Sequence, residues 1–538
     1  MNQQETPADR SPARTRGTFG RLTSAPWHPL LFAAVIVLSA WFDATISPYP
    51  LVRPLLVAVL GAAVLTVVAA LALRSTLLGG LVATAIIWVL WSRNLLDLAE
   101  TAIHRLGVAG IAFALAIVLV VILIARILRR GMARWTIEGA TSVLNRGSLL
   151  LLLVTVVMGV ATGSVGRAIA DLDQGQDFDD WLASPGADDG REGPDVYAIL
   201  LDGYPRADVL ADAFDIDNGP FVGALEERGF AVSRASHSDY IWTHTSVPSL
   251  LHMDYVEHIP ELEPVAAGRA PQQPTIRSVI DHNPAFTFAR EHGYTTVSVA
   301  SGFEQVTMRK SDVFADSGDI NEFEISLLAS TFVGDVVNLV APTFAASQQA
   351  SRIEHNLDAL PTIAGADGDP VFVWAHVPAP HQPTVFAADG SVVDVPITDT
   401  FFGDSPMERG EDPAEFRERY RAQLGYLNDR IVETVDAILR QSSEPPVILL
   451  FADHGSASRV DWVEADPIEV DPALVLERTG TLFATLTPGR DNVYPDDPSP
   501  IDLFRGLFDA YFGTDYGRAV PPDPGGQIPP VDASVLDD

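Results

Sequence analysis

Five long apolar runs crowd the first third of this chain, at about 28–47, 51–73, 76–92, 107–125 and 148–165. Nothing else in the sequence restricts the fold as much. Each run approaches the ~20 residues an α-helix needs to cross ~30 Å of hydrocarbon, where every backbone polar group must be satisfied internally. The first run is no cleavable signal, because four more follow it. Arginines set the orientation. Arg10, Arg14, Arg16 and Arg21 precede the first run, Arg74 follows the second, and Arg126, Arg129, Arg130, Arg134 and Arg146 separate the fourth from the fifth. The opposite loops hold only Arg53, Arg93 and Arg105. Excess arginine marks the cytoplasmic side. The expectation is a cytoplasmic tail (1–25) and a five-span domain (26–166) in the inner, or cell, membrane, with the remainder extracytoplasmic. The runs hold almost no ionisable residue at mid-membrane, which argues against a transport path.

The chain is 47% hydrophobic yet carries a net charge of −35. The two properties separate at about residue 166, apolar before and acidic after. An acidic extramembrane part does not suit nucleic acid, whose phosphates require Lys/Arg patches. With no cysteine, disulfides, thiol nucleophiles and thiolate metal sites are excluded. Residues 167–194, acidic and punctuated by Gly and Pro, read as a juxtamembrane helix and linker, and 519–538 as a disordered tail. Between them, over 195–518, short apolar runs alternate with amphipathic helical stretches. That pattern predicts an α/β domain with a mostly parallel sheet covered by helices on both faces.

Ligands of such sheets bind beyond the carboxyl ends of the strands. "DVYAILLDGY" (195–204) ends in Asp202-Gly203, "PVFVWAHVPAPHQP" (370–383) in His376 and His381, and "PPVILLFADHGSAS" (445–458) in Asp453-His454-Gly455. One Asp after a strand is an ordinary loop cap. Three apolar strands ending in acid and imidazole would gather two carboxylates and up to three imidazoles at one rim, although the order of strands cannot be read from the sequence. Such a set suits one divalent metal ion, Zn or Mn, able to neutralise a phosphoryl oxygen and to lower the pKa of a coordinated hydroxyl. Hydroxyls cluster in "YIWTHTSVPSLL" (240–251): Thr243, Thr245, Ser246 and Ser249. Such clusters before a helix are more often caps than nucleophiles, and Pro248 suits a first helical turn. His376 and His381 could hydrogen-bond their own loop, or serve the transferred group as donor or acid. His237, His244, His258 and His282 have no comparable setting.

Asp202, "YIWTHTSVPSLLHMDY" and Asp453-His454-Gly455, in this order and spacing, resemble the alkaline phosphatase/sulfatase superfamily. The likeness spans about 195–516 and is nearest to its membrane-anchored branch, the lipoteichoic acid synthases and lipid A phosphoethanolamine transferases, which place five transmembrane helices before an extracytoplasmic catalytic domain. It implies a mixed, mostly parallel sheet and Thr243 as nucleophile, with Ser246 and Ser249 as helix-start residues. It further implies Asp202, Thr243, Asp453 and His454 around the metal, with His376 and His381 facing the substrate. Arg478 is a weaker candidate, as a phosphate clamp. The expected reaction is transfer or hydrolysis of a phospho-ester on a membrane lipid or lipid-linked, cell-envelope glycan substrate. A sulfuric-ester hydrolase is the alternative within the superfamily; but "SVPSL" puts Leu250 where the sulfatase motif has Arg, and there is no cysteine. No His follows 454, which favours one metal over two. Asp239 and His252 stand where related sequences often have Asn. A non-catalytic envelope scaffold is the alternative of a different class.

Overall fold

In the computed structural model the described residues are 25–44, 46–93, 136–166, 174–183, 193–266, 273–366, 368–397, 405–406, 410–462 and 470–522. The expected fourth span, 107–125, lies outside them, as does most of the tail expected at 519–538. The chain divides into two compact units. One takes the residues up to 164, except 44–50, together with 330–332; the other takes the rest.

The first unit is helical: α1 (His28–Ala44), α2 (Tyr49–Leu73), α3 (Thr76–Trp91) and α4 (Ile137–Ala161). Among the described residues only α2 and α4, 25 residues each, are long and apolar enough by themselves to cross a membrane; α1 and α3 are apolar but shorter. The described residues thus supply two spanning helices and two short apolar ones toward the five expected. Val57, Leu60, Val64 and Leu71 on α2, and Leu149, Leu150, Leu153 and Val160 on α4, are all more than half exposed, as lipid-facing side chains would be. Helix α4 starts well before its apolar run, because Thr136 caps it by accepting from Gly139 N at 3.1 Å. Arg146 therefore lies in the helix, not in a loop before it.

The second unit is built on eight strands: β1 (Gln176–Asp177), β2 (Val196–Leu201), β3 (Ala231–Val232), β4 (Thr295–Val299), β5 (Val313–Ala315), β6 (Val371–Val377), β7 (Val447–Phe451) and β8 (Phe483–Leu486). Their order is β1-β5-β4-β6-β2-β7-β8-β3. Pairings from β1 to β7 are parallel, while β8 and β3 add two antiparallel neighbours. The sheet is therefore mixed and mostly parallel. Its helices include α5 (Phe178–Ala183), α6 (Thr243–His252), α7 (Glu322–Ala329), α8 (Phe332–Val340, from Val333 on), α9 (Phe344–Ala364), α10 (Pro413–Gln441), α11 (Pro472–Thr479) and α12 (Asp502–Phe512). Both β1 and α5 fall inside the stretch read as a linker. Phe178 and Trp181 of α5 join the core, so the folded unit begins before residue 195. A strand of two residues has no period for a sequence to display.

Strand β2 shows why its sequence is continuously apolar. Side chains alternate across a strand, and Tyr197, Ile199 and Leu201 enter one core while Val196, Ala198 and Leu200 enter another. The first core is closed by α9 and α10, through Leu357, Leu360, Leu424 and Leu427. The second is closed by α6 and α12, through Val247, Leu250, Leu503 and Phe504. A sheet covered on both faces leaves no side for polar residues.

Candidate metal centre

The three strands that end in acid or imidazole are the adjacent trio β6-β2-β7. Leu200 of β2 lies opposite both His376 of β6 and Phe451 of β7. Leu200, Trp374 and Phe451 all enter the second core. By alternation, the next positions on that side are Asp202, His376 and Asp453. Helix α6 packs on the same face with Thr243 as its first residue, after an extended Trp242. Thr243 thus sits at the positive end of a helix.

The side chains converge on one point. His454 Nε2 lies 3.0 Å from Thr243 Oγ1, 3.4 Å from Asp453 Oδ2 and 3.7 Å from Asp202 Oδ1. Asp202 and Asp453 are at most 1% exposed. Each anchors one oxygen: Asp202 Oδ2 accepts from His376 Nε2 at 2.9 Å, and Asp453 Oδ1 from Gly203 N at 3.3 Å. Their other oxygens, Asp202 Oδ1 and Asp453 Oδ2, have no hydrogen-bond partner. A buried carboxylate oxygen without a partner is costly, and a cation between the two would remove that cost. His454 Nδ1 donates to Gly455 O at 2.9 Å. This fixes the tautomer in which Nε2 offers a lone pair to the same point. Half-buried His381 stands beside it: one ligand atom each from Asp202, His381 and His454 lie within 4.8 Å of one another. Carboxylate, imidazole and hydroxyl donors at these separations fit a divalent cation. Burial alone would raise Asp202, but the imidazoles of His381, His376 and His454 outweigh it and hold its pKa at about 2.

His376 does not face the open side. It is 1% exposed and reaches the centre through Asp202, while Asn356 Nδ2 donates to its carbonyl at 2.9 Å. A histidine behind a metal-ligand carboxylate orients it. His381 stands at the rim, its Nδ1 donating to Gln382 O at 2.7 Å and its backbone N to Asp202 O at 2.8 Å.

The four hydroxyls of α6 separate cleanly. Thr245 bonds Trp242 O at 2.8 Å, Ser246 bonds Tyr240 O at 3.4 Å and Ser249 bonds Asp254 O at 2.5 Å, all three buried. Only Thr243, partly exposed, directs its hydroxyl at His454. Neither Ser246 nor Ser249 caps the helix start; Ser249 ties down its far end. Pro248 is likewise inside the helix, in its second turn, where it removes the N–H that would have bonded to His244 O.

Arg478, on α11, takes a different place from the phosphate clamp its sequence position suggested. It is 1% exposed, donates to Ile241 O at 2.8 Å and Gly455 O at 3.1 Å, and stacks over the Trp242 ring. It ties the segment that carries Thr243 to the loop that carries His454. Ser238 adds a second tie, its hydroxyl donating to Asp453 O at 2.5 Å. Gly455 is required by space, since a Cβ there would lie 2.2 Å from Glu477 O. The two departures at Asn positions point elsewhere: half-buried Asp239 lies beside Tyr255 and His237, and His252 Nε2 bonds Val279 O at 3.0 Å. Nothing in the sequence marked these two tying roles, because the carbonyls of Ile241, Gly455 and Asp453 that they bind lie far from Arg478 and Ser238 along the chain.

Carboxylate, imidazole and hydroxyl groups are thus gathered at the central strand ends of the α/β unit. No family model matches the chain, and no curated protein matches it. Solved structures do. The chain is similar to the C-terminal periplasmic domain of EcEptC from Escherichia coli in complex with Zn (11% identity, 62% of this chain and 87% of that one, TM-score 0.39). It is also similar to the integral membrane protein lipooligosaccharide phosphoethanolamine transferase A from Neisseria meningitidis (14% identity, 87% and 77%, TM-score 0.38). A third is the phosphonate monoester hydrolase of Agrobacterium radiobacter (12% identity, 59% and 73%, TM-score 0.37).

Proposed function

We propose that this chain is a membrane-anchored, single-metal enzyme of the alkaline phosphatase/sulfatase type that transfers or hydrolyses a phospho-ester of a membrane lipid or lipid-linked envelope substrate through Thr243. The observation that carries this reading is the convergence of Thr243 Oγ1, Asp202 Oδ1, Asp453 Oδ2 and His454 Nε2, two of them buried carboxylate oxygens with no other partner. When bound, a divalent cation such as Zn or Mn would be held by these four groups and would supply charge neutralisation and hydroxyl activation. Thr243 Oγ forms the new bond to phosphorus as the bond to the leaving oxygen breaks. The threonine proton passes to solvent, and in this reading His381 protonates the leaving oxygen. Water or an acceptor hydroxyl then attacks the phosphothreonine and releases Thr243, so one hard step becomes two easier ones. Transfer of phosphoethanolamine, the activity named for the Neisseria protein, is the narrower form of this reading. The apolar helices α2 and α4 support a membrane-embedded enzyme, and the arginine distribution supports an extracytoplasmic site.

Thr243→Ala is expected to remove nearly all turnover of a generic phosphodiester, with Ser246→Ala and Ser249→Ala retaining it. Mass spectrometry should find a phospho-adduct on the peptide containing Thr243. Full activity in Thr243→Ala, or an adduct on Thr245 or Ser246, would overturn the assignment.

A further inference from the structure

Large apolar side chains are rarely exposed in the α/β unit. Among its described residues six are: Val333, Val336, Leu339, Val340, Tyr516 and Val520. Four of the six fall within eight positions on one helix, α8. Their spacing of i, i+3, i+6 and i+7 gathers them into one stripe, and Leu339 and Val340 are 83% and 73% exposed. The only charge on the helix is Asp335.

The stripe belongs to an ordered element. Helix α7, just before it, is fixed in a core by Ile325 and Ala329. The chain then turns by 100° into α8. Gly334 permits that turn, since a Cβ there would lie 2.7 Å from Leu328 O. On its polar side Asn338 Oδ1 accepts from Ile397 N at 3.0 Å. One face of α8 is bonded to the unit, and the opposite face presents valine and leucine outward.

We propose that α8 is an interfacial helix that lies in the surface of the bilayer, with Val333, Val336, Leu339 and Val340 entering the headgroup–acyl boundary. The inference rests on the chain residing in a membrane, which α2 and α4 support, and not on the reaction proposed above. A bilayer is the occupant favoured because the chain carries its own anchor, which holds the stripe near lipid at high effective concentration; a protein partner would have to be recruited. Charge does not drive the contact. The chain is strongly acidic, at −35, and α8 has no Lys or Arg, so the attraction comes from apolar area alone.

The absence of cysteine makes the test direct. Val336→Cys and Leu339→Cys, made separately in the full chain, carry an environment-sensitive fluorophore in nanodiscs of ordinary lipid or of lipid brominated on the acyl chains. Glu227→Cys and Asp491→Cys, exposed positions on other elements, serve as comparisons. Wild-type thermal midpoints establish that each variant is folded. The expected result at 336 and 339 is short-wavelength emission and loss of intensity in brominated lipid, with neither at 227 and 491. Water-like emission at both α8 positions would overturn the proposal. So would short-wavelength emission that brominated lipid leaves unquenched, because protein, from this chain or a second copy, would then cover the stripe.

Discussion

Asp453→Asn separates the two roles of a buried carboxylate, because its effect should reverse sign with metal. The substitution is nearly isosteric and keeps an oxygen to accept from Gly203 N, now at 3.3 Å. It removes the charge from a site where Asp202 Oδ1 and Asp453 Oδ2 lie 3.7 and 3.4 Å from the same His454 nitrogen. The two oxygens are therefore at most about 7 Å apart. Two unit charges at that distance repel by roughly 2 kcal/mol at an effective dielectric of about 20. Without metal, the Asn variant should be the more stable protein by about that amount, a rise of a few degrees in thermal midpoint. With metal the order inverts. A ligand at a hundred times its dissociation constant adds about 2.7 kcal/mol, and the variant should lose most of that gain. The assay is thermal unfolding of the full chain in detergent, with chelator and across a Zn²⁺ or Mn²⁺ titration. A wild-type midpoint indifferent to both metals and to chelator would refute the centre. So would an Asn variant that responds to metal as fully as the wild type. A variant less stable than wild type in chelator would refute the repulsion from which the magnitude was worked.

His376→Ala frees Asp202 Oδ2, so metal affinity should fall about 10- to 100-fold by direct titration while Thr243 remains in place; unchanged affinity would show that Asp202 needs no orienting partner. Arg478→Ala strips a buried donor from Ile241 O and Gly455 O, at about 1.5–3 kcal/mol for each charged hydrogen bond. It should lower both the thermal midpoint and metal affinity, with Lys restoring the midpoint better than Ala; a loss of turnover with both intact would return Arg478 to substrate binding. Burial, reinforced by the negative charge of Glu304, raises Glu322 from 4.5 to about 7. A raised acid favours folding below its unfolded value and loses that contribution as pH rises through the folded one. Glu322→Gln should therefore raise the midpoint at pH 8, with the gain fading between about pH 7 and 4.5; an equal gain at every pH would contradict it.

What the sequence determined by itself was the chemistry at strand ends and the layering that follows from burial. The runs at 196–201, 371–377 and 447–451 are apolar at every pleat, and only a sheet covered on both sides buries both faces. Their terminal Asp202, His376 and Asp453 mark one rim of that sheet. The apolar runs before residue 166 likewise follow from hydrocarbon thickness. Tertiary structure decided the rest. That β6, β2 and β7 are neighbours is a matter of pairing, and no period within a strand encodes its partner. Their register places Asp202 level with Asp453, and alternation then turns both, with His376, toward Thr243. The same pairing puts His376 behind Asp202 and leaves His381 at the rim, although the sequence presents the two as equivalents. The four hydroxyls of 243–249 also look alike in sequence. They differ because Thr245, Ser246 and Ser249 find backbone carbonyls at Trp242, Tyr240 and Asp254, whereas Thr243, first in its helix, is left facing His454. Arg478 was misread for a related reason: a guanidinium suits phosphate and carbonyl equally well, and only the fold brings Ile241 and Gly455 close enough to claim it.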